Sequence, residues 1–248
     1  MKVLADIGNS QIKISLSRNK EIHNIKTLPL DNINIIRQHF LNICKKQECS
    51  LFYSLVAGSN YEKKFLSITK KIFTKITRFK SSKSFLSVRS AYTIPTTLGS
   101  DRWAQIIGAH ELYKKNAMIV SCGSAISVDY VTSKGVHEGG ILLSGSERYT
   151  NCFSDINNLK GIRLPVSSKK TFKILENNTS RQIVTGYRIM ISSAINNIYT
   201  ELNKKSKNKI LVILSGSYAR NISGLSIKEK IIEPYFVLKS LALIEDHF

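Results

Sequence analysis

A strand–turn–strand pattern occurs twice in this chain, and it restricts the fold more than any other feature. The apolar run Val3–Ile7 meets the turn Gly8-Asn9-Ser10, after which Ile12, Ile14 and Leu16 alternate with polar residues. The same sequence of events returns at Ala117–Ser121, Cys122-Gly123-Ser124 and Ile126–Val131. Alternation with a period of two marks strands, and glycine with short polar residues marks the turn between them. Each unit is followed by stretches with helical spacing. Ile33–Cys44 is predicted helical with Asp31 as its cap, and Tyr61–Phe73 as an amphipathic basic helix. A further helix is predicted over Asp101–Lys114, with Trp103, Ile106, Ile107 and Leu112 inside, and a long one over Gln182–Leu202. Leu51–Val56 and Lys209–Ser215 read as buried strands, and another strand follows Gly139-Gly140. Two such units imply a duplicated α/β architecture with a cleft between halves, placed at residues 1–115 and 116–248.

Three segments carry residues suited to chemistry. In Asp6-Ile7-Gly8-Asn9-Ser10 an acid ends a buried strand, which is costly without a partner, and a divalent cation is a natural one. Gly8 lets backbone approach a phosphate, Asn9 and Ser10 add neutral donors, and Lys13 follows; an ordinary polar hairpin tip fits the same residues. In Gly99-Ser100-Asp101-Arg102, Ser100 reads as a helix cap and Asp101 falls in the first turn, where plain capping is the simpler explanation of the segment by itself. In Cys122-Gly123-Ser124-Ala125 a small-residue turn exposes N–H groups suited to phosphate oxygens. Gly139-Gly140 and Ser215-Gly216 read as turns that admit a ligand closely.

Composition narrows the partners. The 248 residues carry 37 Lys+Arg against 17 Asp+Glu, a net charge of +20. Such an excess suits nucleic acid, a membrane surface or anionic small substrates. The basic residues are scattered, as in Lys63-Lys64, Lys70-Lys71, Lys114-Lys115 and Lys169-Lys170, and are not interleaved with a stacking array of aromatics, which favours solvated faces. No apolar run is long enough to span a bilayer, and Met1–Ser10 does not read as a signal peptide, so a cytoplasmic protein is expected. Cys44, Cys49, Cys122 and Cys152 form no CxxC pair and read as reduced thiols.

Taken in order, Asp-x-Gly-Asn-Ser near the start, Gly-x-Asp-Arg near position 100, Gly-Ser-Ala some twenty residues later and Gly-Gly soon after resemble the type III pantothenate kinases. The resemblance implies the actin/sugar-kinase/Hsp70 fold, with ribonuclease H-like halves and an ATP cleft between them. It implies transfer of the ATP γ-phosphoryl group to pantothenate, giving 4′-phosphopantothenate for coenzyme A synthesis. By the same resemblance the residues Asp6, Ile7, Gly8, Asn9, Ser10, Gln11, Ile12 and Lys13 form the first phosphate loop, with Asp6 near Mg²⁺ through water. Tyr92, Gly99, Ser100, Asp101 and Arg102 contact pantothenate, and Asp101 is the base. Ser124 contacts ATP, and Thr179 reaches the pantothenate of a neighbouring subunit in a homodimer.

The chain departs from the family's usual pattern in places. Ser121 stands where the family has the acid associated with a monovalent cation, K⁺ or NH₄⁺. Ser215-Gly216-Ser217 replaces Gly-Gly-Asp, and Ser144-Gly145 replaces Pro-Gly. Two other functions stay open on the sequence: a kinase of the same fold acting on another small alcohol, and a non-catalytic descendant binding nucleic acid or a protein partner.

Overall fold

The computed structural model describes residues 1–45, 47–154, 156, 173–206 and 208–248. The basic pair Lys169-Lys170 lies outside the described residues. Contacts divide the chain into two units, one made of Met1–Tyr113 with Tyr235–Phe248 and the other of Lys114–Pro234.

The first unit begins with β1 (Lys2–Ile7), β2 (Gln11–Arg18) and β3 (Glu21–Pro29), then α1 (Ile33–Cys44), β4 (Ser50–Leu55), α2 (Ser59–Thr69) and β5 (Lys75–Arg78). A small hairpin of β6 (Ser84–Phe85) and β7 (Val88–Arg89) precedes α3 (Ser100–Tyr113). The five long strands form one sheet in the order β3-β2-β1-β4-β5, with β1 antiparallel to β2 and parallel to β4. The second unit holds β8 (Ala117–Cys122), β9 (Ala125–Val131), β10 (His137–Ser144), α4 (Ser146–Asn151), α5 (Thr179–Lys205), β11 (Leu211–Ser215) and β12 (Lys230–Ile232). Its sheet order is β10-β9-β8-β11-β12, again with the first strand antiparallel to the second and parallel to the one after the helix. The two sheets therefore have the same topology, as the repeated sequence pattern requires.

The burial patterns explain the strand assignments. Val3, Leu4, Ala5 and Ile7 are all buried, so β1 is a central strand covered on both faces. In the first unit Phe40, Phe65 and Phe73 interlock edge to face under the sheet. In the second, Val120, Cys122, Tyr187, Ile191 and Leu214 form the corresponding core against α5. Among the described residues no helix is long and apolar enough to cross a membrane.

Several boundaries differ from the sequence reading for local reasons. Asn32, not Asp31, caps α1, its Oδ1 accepting from the Ile35 amide at 3.2 Å. The second helix ends at Thr69 rather than Phe73; the Ile72 and Phe73 amides both turn back to the Thr69 carbonyl, which tucks Phe73 into the core. Leu112, predicted inside, is 36% exposed, because the buried length of α3 ends at His110. The Gly139-Gly140 pair lies within β10 at a register shift, not in a turn. The last helix, α6 (Phe236–Ile244), falls with the first unit, whereas the sequence division places residues 116–248 together. Its apolar run Phe236-Val237-Leu238 and Leu241-Ala242 is buried, and it packs on α3 and on the strands of the first sheet.

The packing of α6 on α3 is close enough to test. A Cβ added at Gly108 would lie 2.0 Å from Ser240 Oγ and 2.7 Å from its Cβ. Ser240 Oγ is already committed to the Phe236 carbonyl at 2.7 Å. Gly108→Ala is expected to cost about 1–3 kcal/mol, the range for overpacking a well-filled core. A lowered urea midpoint with an unchanged slope would show it, and an unchanged midpoint would mean that the helix pair relaxes freely.

Candidate active site

The centre of the site in the first unit is set by sheet register. Asp6 lies one residue from the end of β1, opposite Lys13 on β2 and Ser54 on β4. Register partners project to the same face. The Asp6 side chain is 10% exposed, and Lys13 Nζ stands 3.8 Å from its Oδ2. Burial pushes the Asp6 carboxyl up to about 6; Lys13 pulls the other way, and Asp101 adds a smaller upward push. A carboxyl so poorly compensated is a group that favours added positive charge.

Ser54 links this strand end to α3. Its hydroxyl lies 2.9 Å from Ser100 Oγ, and the Leu55 amide donates to Ser100 Oγ at 3.2 Å. Ser100 is the first residue of α3, and its hydroxyl is committed to β4, not to the cap predicted from sequence. That bond fixes where Asp101 and Arg102 begin the helix. Asp101 Oδ1 accepts from the Arg102 amide at 2.8 Å. A Cβ at position 99 would sit 2.6 Å from Asp101 Oδ1, so Gly99 makes room for the carboxylate. Arg102 Nη1 donates to Tyr92 Oη at 3.2 Å, with the guanidinium 5.9 Å from the ring centre. Lys83 Nζ holds the Tyr92 carbonyl at 3.0 Å. The predicted residues Asp6, Lys13, Ser100, Asp101, Arg102 and Tyr92 thus all belong to one unit. Lys13, Ser54 and Ser100 place the Asp6 and Asp101 segments together, and Asp101 holds Arg102, which in turn meets Tyr92.

The loop after β1 is tight. The Gly8 amide donates to the Gln11 carbonyl at 3.0 Å, and the Val56 amide to the Ile7 carbonyl at 3.0 Å. Asn9, Ser10 and Gln11 are exposed, while the side chains of Ile7 and Ile12 are in the core. Those two isoleucine side chains therefore belong to the core and not to the exposed face of the loop.

The second unit repeats the loop with different residues. The Gly123 amide donates to the Ala125 carbonyl at 3.0 Å, and the Tyr218 amide to the Cys122 carbonyl at 3.3 Å. Ser124 is partly buried in this loop. Gly216 has φ +90°, and a Cβ there would lie 2.4 Å from the Cys122 carbonyl oxygen. The space that sequence assigns to a ligand at Gly216 is taken by the protein's own backbone. Gly145 does the same on the other side, 2.4 Å from the Ser124 carbonyl oxygen on the same test. The sequence marks Ser144-Gly145 only as a departure from the family pattern; that Gly145 braces the loop follows from this contact alone. Thr179 opens α5 on an exposed turn, with Asn178 Oδ1 accepting from the Arg181 amide at 3.2 Å.

Solved structures share this architecture. One, described as a conserved Baf family transcriptional activator from Campylobacter jejuni, covers 99% of this chain and 98% of its own, with a TM-score of 0.59 at 19% identity. Another, described as a 2-dehydro-3-deoxygalactonokinase from Sinorhizobium meliloti, covers 100% and 99%, with a TM-score of 0.58 at 10% identity. At those identities the likeness shows the fold, that of duplicated ATPase and sugar-kinase-like α/β halves. The family model for type III pantothenate kinase matches residues 2–201, and the chain belongs to that family. A type III pantothenate kinase from Thermosipho melanesiensis is 26% identical over 228 residues, 90% of this chain and 89% of the relative.

Asp6 gives the site a pH signature of its own. Its carboxyl titrates near 3.8 when unfolded and about 6 when folded. Between those values the unfolded chain has lost the proton that the folded chain keeps, so stability falls as pH rises through that window. Asp6→Asn removes the effect. Without nucleotide or metal, Asp6→Asn is expected to gain roughly 2 kcal/mol on wild type between pH 4 and pH 7.5, since each tenfold difference in proton affinity is worth about 1.4 kcal/mol. A stability difference that is the same at both pH values would show that Asp6 is not held in this state.

Proposed function

We infer that the chain is an ATP-dependent kinase that transfers the γ-phosphoryl group to the primary hydroxyl of pantothenate, giving 4′-phosphopantothenate for coenzyme A synthesis. The observation that carries this is the convergence of Asp6, Asp101, Arg102 and Tyr92 in one unit of a chain that matches the family model. Phosphoryl transfer asks the protein for positioning, charge neutralisation and a proton acceptor. We assign the last to Asp101, which takes or orients the hydroxyl proton. Arg102 and Tyr92, bonded to each other, hold the substrate beside it. The Asp6–Lys13 loop receives the phosphates, Gly8 providing the close approach; Ser124 is assigned to ATP by the family resemblance of its own loop.

Mg²⁺ is the proposed metal on the Asp6 side. The buried carboxylate, balanced only in part by Lys13, fits a divalent ion that is otherwise held by phosphate oxygens and water. Bound there, Mg²⁺ would neutralise the β- and γ-oxygens. A homodimer is proposed on the strength of Thr179 and of apolar side chains left exposed in the second unit. These are Ile141 at 45% and Leu142 at 63% on the edge strand β10, with Ile189 and Met190 on α5. The proposed compartment is the cytoplasm.

Asp101→Asn keeps size and most hydrogen bonding but loses the proton acceptor. The expected result is a fall in kcat on the order of 10²-fold or more with folding intact. It would be measured by coupled ADP release with ATP, Mg²⁺ and pantothenate; near wild-type kcat would remove Asp101 from the mechanism. No ADP release by the wild type, together with salt-steep binding to duplex DNA, would favour a non-catalytic descendant instead. For the dimer, light scattering should give twice the 27.9 kDa of one chain, and a monomer that turns over pantothenate would show that Thr179 serves no neighbouring site.

A further inference from the structure

The two sheets have the same topology, so each residue around Asp6 has a structural counterpart in the second unit. Asp6 is one residue from the end of β1, before the Gly8 turn; Ser121 is one residue from the end of β8, before the Gly123 turn. Asp6 has Lys13 as its antiparallel partner and Ser54 as its parallel partner. Ser121 has Ser127 as its antiparallel partner and Ser215 as its parallel partner. A charged row in the first unit is thus replaced in the second by three hydroxyls on neighbouring strands, at the end that carries Ser124. Strands stand about 4.8 Å apart, so the three side chains are adjacent on one face. Ser127 and Ser215 are buried, and Ser121 is partly so.

These residues do not fit a monovalent cation at Ser121. A cation gives up its hydration for formal charge or for a full set of oxygens, and the row brings no charge. Asp129, two residues along β9 from Ser127 and on the same face, is buried, and His137 Nε2 stands 3.1 Å from its Oδ1. A carboxylate can meet a phosphate only through a bridging cation, whereas a hydroxyl can donate a hydrogen bond to phosphate oxygen itself. We propose that the Ser127–Ser121–Ser215 row receives the nucleotide's phosphate oxygens directly, Ser121 as the contacting hydroxyl and its neighbours as positioning residues, with no requirement for K⁺. This rests on the kinase reading above.

The test is calorimetric binding of a non-hydrolysable ATP analogue with Mg²⁺ in potassium, sodium and choline chloride, alongside ADP release with pantothenate in the same salts. Wild-type Kd is expected to agree within about threefold across the salts, well inside the tenfold that marks ~1.4 kcal/mol. Ser121→Asp should weaken binding about tenfold in choline and recover at least in part on adding K⁺, which a merely structural serine would not do. Ser215→Ala and Ser127→Ala should each weaken binding several-fold by the same factor in every salt. A wild-type Kd that rises tenfold or more when K⁺ is withdrawn would overturn the proposal. So would serine variants that bind as wild type does, or Ser121→Asp binding that ignores K⁺. Absence of ADP release in every salt would instead remove the kinase reading on which the proposal stands.

Discussion

A carboxylate held out of water at the end of a central strand is the constraint around which the first unit is arranged. Asp6 is buried because β1 is covered on both faces, and nothing in the fold relieves it fully: Lys13 stands 3.8 Å away and its carboxyl still rises to about 6. A carboxylate left in that state costs stability, and added positive charge would offset the cost. The neighbouring strand then does the positioning. Ser54, beside Asp6 in register, meets Ser100, and Ser100 fixes the start of α3, where Asp101 and Arg102 stand. The Asp6 strand end and the start of α3 are therefore connected through two serine hydroxyls rather than through either acid.

The second unit repeats the scaffold without repeating the charge. Both loops close with a glycine amide onto a carbonyl two or three residues on, and both have the preceding carbonyl taken by an amide from the segment that follows the next parallel strand. Yet Lys13–Asp6–Ser54 becomes Ser127–Ser121–Ser215. The topology supplies an equivalent place at one strand end of each sheet, filled in the first by a charged pair and in the second by hydroxyls.

Much of this is legible in the chain, because periodicity and turn chemistry are local. The alternation after Gly8 and after Gly123 marks the paired strands, and Ile33–Cys44 is bounded where its apolar spacing stops. What the chain hides is whatever depends on distant partners. Ser100 reads as a helix cap until β4 is seen beside it. Gly216 reads as room for a ligand until the Cys122 carbonyl is found in that space. Helix α6 is apolar except for Lys239 and Ser240, too little to make the broad polar face that marks a surface helix, and its place beside the first sheet is set by contacts more than a hundred residues away in sequence. The residues Asp6, Asp101, Arg102 and Tyr92 can be named from motif order, but the bond between Arg102 and Tyr92 and the serine link between strand and helix cannot.

Whether this site phosphorylates pantothenate is tested most directly by the product itself. The chain is incubated with ATP, Mg²⁺ and pantothenate, and the mixture is analysed by mass spectrometry. Pantothenate should gain one phosphoryl group at its primary hydroxyl, in step with the ADP formed. ADP formed without phosphorylated pantothenate, or a phosphoryl group delivered in preference to another small alcohol under competition, would contradict the assignment.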